Sequence, residues 1–482
     1  MTQLPRRPLT LLLVAGASAF GAFALMALAL RAGPVTAILL VAAAAAGLLL
    51  LTDARAATLA AVGVLVLAES NPDWGISATA KLYAKTAVFF TPVEFMALLA
   101  LAAVVVDAQR TGRPLRMPRV FAVPLLLTVA ALVFGLVNAR MSGGVAGYAT
   151  RSVLQAILPL FVLPLLIVNV VRTPQDLRRA LGAGGVLAAA KALLGLGVLF
   201  AGVSQTLSDG GPHMTYYEAT ANVVLMIAVL FVAAARIARV RLPAWVTFAA
   251  PLVFACLLLS YRRMFWVATI ASLLIIAVVA SGRVGRRLAV PGALLLAGAV
   301  WVISLAPVVA DLSGPIVQRG ASITPGKISH NTQDRYRIAE RKNVIADLKT
   351  HPLAGAGIAV GWQATYPLPF EYATGRDYVH FGLLWWWLNM GILGAITYVW
   401  LMLSATIIGW RVWRLHADGV ARVAGLALGL GALGLAVVEL TAANVGPDQR
   451  TTALFGIVLG LLASAHAQLS PAIGGRDAGS IE

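Results

Sequence analysis

Residues 379–414 read VHFGLLWWWLNMGILGAITYVWLMLSATIIGWRVWR. Between His380 and Arg411 no Asp, Glu, Lys or Arg occurs. The apolar residues are continuous rather than alternating, so the stretch reads as helix, not strand. It exceeds the roughly 20 residues needed to cross the hydrocarbon core of a bilayer. It ends on Arg411 and Arg414, the basic flank expected of a span.

The same pattern repeats along the 482 residues. Apolar runs fall at 9–30, 34–51, 55–69, 86–106, 119–137, 152–171, 179–203, 214–235, 243–260, 264–280, 288–309, 379–409, 420–439 and 451–467. The second and third are short enough to form one re-entrant element. The expected fold class is all-α, a polytopic transmembrane helical bundle of about 12–14 spans. Composition agrees, with 60% hydrophobic and only 12% charged residues and a mean hydropathy of +0.87. A soluble domain carries about twice that charged fraction. The net charge of +18 sits mostly at the ends of apolar runs, where it sets topology and meets anionic lipid. Nucleic acid is therefore not an expected partner, whereas membrane lipids are. The lone cysteine, Cys256, excludes an intrachain disulfide. Arg6 and Arg7 before the run at 9–30 resemble a signal peptide, but the run is long and further spans follow, so it reads as an uncleaved first helix.

Basic loops alternate with weakly charged ones. Arg110, Arg113, Arg116 and Arg119 form one basic set, followed by Arg172, Arg178 and Arg179, by Arg236, Arg239 and Arg241, by Arg283, Arg286 and Arg287, and by Arg411, Arg414 and Arg422. The positive-inside rule makes these loops cytoplasmic, with both termini on the same side. The expected organisation is transmembrane helices over 1–309, a large external loop over 310–378, C-terminal spans over 379–467 and a disordered tail over 468–482. Within the loop, 333–350 reads as an amphipathic helix with Ile338, Ile345 and Leu348 on one side, ended by Pro352. Gly355 and Gly357 then turn the chain.

Charges that break the topology code are the candidate site. Arg262 and Arg263 sit at an outward helix end with almost no loop to hold them; such a pair snorkels or meets an anion. A guanidinium fork matches phosphate oxygens. Arg337 and Arg341, four apart, share one helix face and repel unless an anion joins them. His380 stands where the loop re-enters the membrane, and a neutral imidazole there can accept a proton. Trp385, with Trp386 and Trp387, suits an interfacial aromatic belt or a sugar platform. His213 and His330 are weaker candidates for proton chemistry. Lys191, Glu94 and Glu439 lie within or at the edges of spans and need partners; an ion path is the sharper alternative to structural pairing. The sequence has no P-loop, dinucleotide fingerprint, HExxH, Gly-x-Ser-x-Gly or Asp-x-Asp. The missing Asp-x-Asp argues against a metal-held sugar nucleotide; a diphosphate held by arginines would need no metal.

From Arg337 to Gly394 the chain resembles the signature region of the O-antigen ligase and polymerase superfamily of bacterial inner-membrane glycosyltransferases. The residues that carry the likeness are Arg337, then His351, Pro352, Leu353, Gly355 and Gly357, then His380, Gly391 and Gly394, with Arg263 before Trp266 upstream. The pattern departs at Arg341, Phe381 and Asn389. The resemblance implies a glycosyltransferase with no cofactor and no metal, acting at the outer face of the cytoplasmic membrane. It implies a polyprenyl-diphosphate-linked glycan as donor and a glycolipid or glycan hydroxyl as acceptor. His380, Arg263 and Arg337 would be catalytic, with Arg262, Arg341 and Trp385 binding substrate. Alternatives are a repeat-unit polymerase of the same superfamily, an enzyme using Asp73 as an acidic base, a transporter or lipid flippase, and a structural subunit.

Overall fold

The computed structural model describes residues 47, 51–69, 82–83, 90–142, 147–204, 213–280, 332–370, 376 and 378–469. The expected spans at 9–30 and 288–309, nearly all of 34–51, the tail, Asp73, His330 and the Arg283 cluster lie outside the described residues. What is described is an all-α polytopic membrane protein.

The helices are α1 (Ala54–Leu67), α2 (Pro92–Thr111), α3 (Ala122–Met141), α4 (Tyr148–Ile157), α5 (Pro159–Val170), α6 (Pro174–Phe200), α7 (Ala219–Ile237), α8 (Ala244–Leu258), α9 (Arg263–Ala280), α10 (Thr332–Thr350), α11 (Gly382–Leu415), α12 (Gly419–Val438) and α13 (Gln449–Ala467). Among the described residues eight helical segments are long and apolar enough to cross a membrane, α4 and α5 counting as one, and α1, α8 and α9 are shorter apolar helices. The ends follow local chemistry. Thr91 with Glu94 and Thr173 with Asp176 form capping boxes, each followed by proline in the first turn. Asp418 and Asp448 cap α12 and α13 through backbone N–H groups.

Two helices form the centre. α12 packs on α11, α7 and α9, and α13 packs on α5 and α11. Small residues set these seams: a Cβ at Gly409 would meet Gly425 O at 2.5 Å, and one at Gly460 would meet Ile167 at 2.6 Å. Such close backbone approach is how helices associate in lipid, where burial alone gives little drive.

Contacts sort the helix ends into two sets. At one end Arg55 pairs with Asp176 at 2.9 Å, Arg178 with Asp418, and Arg116 N–H donates to Asn169 at 2.8 Å. This is the basic end. At the far end Asn138 donates to Ala354 O, Gly382 N–H to Glu439 O, and Arg450 meets Glu69. The far end carries α10 and the start of α11.

Buried charges in and near the spans find partners. Lys191 pairs with Glu69, which also holds Arg450 at 2.9 Å, and Arg450 pairs with Glu218. Glu94 sits in its capping box, and Gln155 reaches it at 3.5 Å. Glu439 Oε1 accepts from the N–H groups of Asn444 and Val445. Lys191 is thus paired, whereas Glu94 and Glu439 each have one oxygen held and one buried oxygen with no partner among the described residues.

Candidate active site at the far end

α10 forms because residues 332–350 are mostly good helix formers, and Pro352 stops it. Of the side expected from the sequence, Leu348 is buried and Ile345 half-buried, but Ile338 is not. Ile338 is 45% exposed, while Tyr336, Glu340, Asn343, Val344 and Leu348 face inward. The inward stripe is largely polar and therefore needs partners. Asn343 finds one in Tyr366, donating to its O at 3.0 Å and accepting from its N–H at 2.6 Å.

The turn at 351–357 is seated in a break in α11. Gly391 has φ 67° and ψ −169° in the middle of that helix. A Cβ at Gly391 would lie 2.3 Å from Leu353 O, so only glycine fits. The loop's main chain replaces the lost helical bonds. Ile392 N–H donates to Leu353 O at 3.0 Å, and Ala356 N–H to Leu388 O at 2.8 Å. Asn138 on α3 donates to Ala354 O and Gly355 O, Trp387 Nε1–H donates to Pro352 O, and Ala359 N–H donates to Asn389 Oδ1. Broken helical backbone in a membrane protein is tolerated only where protein satisfies it in this way.

That joint sets α10 against the start of α11, where His380 lies. Glu340, 1% exposed, accepts from His380 N–H at 2.9 Å and lies 3.0 and 3.1 Å from His380 Nδ1. Against a carboxylate, which only accepts, the matching neutral tautomer has the hydrogen on Nδ1 and the lone pair on Nε2. The edges of Tyr378 and Tyr336 bracket the ring at 4.9 and 6.0 Å. Tyr378 O–H donates to Ala443 O at 2.6 Å. Burial pushes the Tyr378 phenol up, and the charges of Glu439, Asp448 and Glu340 add to this.

Arg262 closes the α8–α9 turn and stacks on the Tyr217 ring at 4.5 Å. Burial lowers its pKa from the guanidinium value; Tyr217 and Tyr378 oppose this, and the nearby positive charge of Arg337 reinforces it. Arg337, one turn before Glu340 and half-buried, acts electrostatically on Tyr378 as well. The structure therefore gathers Arg262 from the α8–α9 turn, Arg337 and Glu340 from α10, and Tyr378 and His380 from the residues leading into α11. Arg341 is exposed and lies over the Phe381 ring at 5.4 Å. Arg263 is half-buried and opens α9. Two like-charged guanidiniums in one neighbourhood, one of them desolvated, form a place where an anion is stabilised.

Trp385 needs correction. It is 1% exposed, its ring meets Trp386 at 6.0 Å, and it fills the space over Gly446. It packs the bundle and has no face for a sugar. His213 is held by Ser204, whose O lies 2.8 Å from its Nδ1. The sequence reading missed Glu340, Tyr336, Tyr378 and Tyr217. The available signal was the polar series Tyr336, Glu340, Asn343 at helical spacing. Among the described residues no three His, Cys, Asp or Glu side chains cluster with metal-site geometry.

Residues 248–399 match the O-antigen ligase family. No curated protein matches the chain. The matched segment begins within α8, ends within α11, and contains every arginine of the site together with Glu340 and His380. Over residues 248–399 the chain is similar to O-antigen ligases, and that likeness lies in the segment that carries Arg262, Arg337, Glu340 and His380.

Proposed function

We propose that the far-end site transfers a glycan from a polyprenyl-diphosphate donor to a hydroxyl of a glycolipid or glycan acceptor. The family match supports a glycosyltransferase-like enzyme acting on lipid-linked glycan. The observation that carries the reading is the Glu340–His380 pair, with Arg337 one helical turn away on α10 and close enough to Arg262 to act on its charge.

In this reading His380 Nε2 takes the proton of the acceptor hydroxyl. The hydroxyl oxygen attacks the anomeric carbon as the bond from that carbon to the diphosphate oxygen breaks. The electron pair leaves with the diphosphate, and the configuration inverts. The proton stays on His380, where Glu340 balances the imidazolium, as the carboxylate does in a Ser-His-Asp triad. Arg337 and Arg263, with Arg262 and Arg341, hold the diphosphate and stabilise its growing charge. Guanidiniums in that role replace a divalent cation. The positive-inside rule supports a cytoplasmic basic end, and with it a site at the outer face of the cytoplasmic membrane.

The test is a reconstituted reaction with a polyprenyl-diphosphate glycan and candidate acceptors in EDTA. Product should form in EDTA with inverted anomeric configuration, and His380→Ala should lower the rate by about 10²–10⁴-fold. Transfer that needs an added divalent metal, or that survives in His380→Ala, overturns the mechanism.

A further inference from the structure

A second binding site lies away from the far-end site. We propose that an apolar slot between α6, α7 and α8 holds one acyl chain of an anionic phospholipid, whose phosphate sits at Arg241. The slot has a volume of about 630 Å³, within the range of small-molecule sites. Gly184 on α6, Ile227 on α7 and Ala249 on α8 form its sides, and Leu428 and Ile457 on the two central helices form its back. Its width comes from α6. A Cβ at Gly182 or Gly184 would meet no atom within 4 Å, whereas one at Gly185 would touch Trp245 at 3.1 Å.

The two ends of the slot differ in chemistry. Toward the far end, the lining on α6 stops at Ala188, and the next turn presents Lys191 bound to Glu69. On α1 the lining stops at Val66, just before Ala68, whose carbonyl accepts from Arg450 at 2.6 Å. The buried ion network therefore closes this end. A polyprenyl chain anchored at the far-end arginines would have to pass through it, which sets the slot apart from the proposed donor site.

At the basic end the slot is lined by Arg178 and Arg241. Arg178 is held by Asp418. Arg241 is exposed, and among the described residues no carboxylate pairs with it. Arg236 and Arg239 belong to the same short connection, and Trp245 stands 40% exposed at the mouth. An indole at head-group depth beside unbalanced guanidinium charge, over a dry apolar slot, is the recognition chemistry of a phospholipid with net negative charge. A zwitterionic lipid brings its own cation and gains less.

The experiment uses the full chain in phosphatidylcholine vesicles containing either phosphatidylglycerol or phosphatidylcholine with a diazirine at the end of one acyl chain. After illumination, cross-linked peptides are mapped by mass spectrometry. The phosphatidylglycerol probe should label α6 near Gly184 and α8 near Ala249 in preference to the phosphatidylcholine probe. Arg241→Glu, at an exposed position, should cut that labelling about fivefold or more. Gly184→Leu should abolish it by filling the slot, with labelling at lipid-facing Leu126 on α3 unchanged as the check on folding. Equal labelling by the two probes, or indifference to both variants, would reduce the slot to ordinary lipid contact and overturn the proposal. Displacement of the probe by polyprenyl diphosphate would also overturn it, by assigning the slot to the donor.

Discussion

Glu340 is the residue on which the proposed chemistry turns, and only its helical spacing with Tyr336 and Asn343 marks it in the local sequence. In a helix rich in Arg, Lys, Asp and Glu it reads as one more solvated charge. Its role appears only when Tyr336, Glu340 and Asn343 are seen to face the protein. Glu340→Gln should lower kcat by about 10²-fold with little change in KM, because the amide orients the ring without balancing its charge. Steady-state kinetics on the reconstituted enzyme checks this; a rise in KM at constant kcat would make Glu340 a substrate ligand instead. Arg337→Lys keeps the charge and loses the fork of donors, so it should still cost about tenfold or more in kcat/KM, read in the same assay. The arginines and His380 were legible because they broke the charge pattern or stood at motif positions. Trp385 was misread for a geometric reason. Three consecutive tryptophans look equivalent in a line of text, but a helix turns about 100° per residue. Trp385 and Trp386 point inward, and Trp387 reaches Pro352.

At the scale of elements, the break in α11 and the turn at 351–357 form one unit. The ends of α10 were legible to within a residue, since Pro352 and the glycines mark them. Its inward face was legible only in part, because apolar periodicity favoured Ile338 while the true face is held by hydrogen bonds to Tyr366 and His380. The break itself was hidden inside an unbroken apolar run. Gly391→Ala places a Cβ against Leu353 O and forces an unfavourable φ. It should loosen the joint, raise protease cleavage within 332–370, and abolish transfer, while the spans stay folded by circular dichroism. Unchanged cleavage together with full activity would show that the joint does not hold the site.

At the scale of the whole molecule, the spans among the described residues were readable because lipid permits little else than helices. The partner of Lys191 was not. Glu69, Glu218 and Arg450 lie far apart in the chain, and only packing brings them together. Arg450→Leu takes its guanidinium from Glu218 and leaves Glu69 with Lys191, and should destabilise the protein by about 3–5 kcal/mol, seen as a lower unfolding midpoint in detergent. No change in midpoint would mean the network is solvated. If the slot between α6, α7 and α8 is dry and lipid-filled as proposed, this network is also the partition between its two chemistries.

The seating of the 351–357 turn has a consequence beyond catalysis. In the hydrogen bonds that join it to α3 and α11, the turn contributes only carbonyls and N–H groups, while the side chains come from Asn138, Trp387 and Asn389. The receiving helices thus recognise a path of backbone and not an identity of residues. Beyond the turn the chain is tied down again at Ile358, Ala359, Tyr366 and Tyr378. Side chains between these ties can be rewritten while Arg337, Glu340 and His380 keep their places.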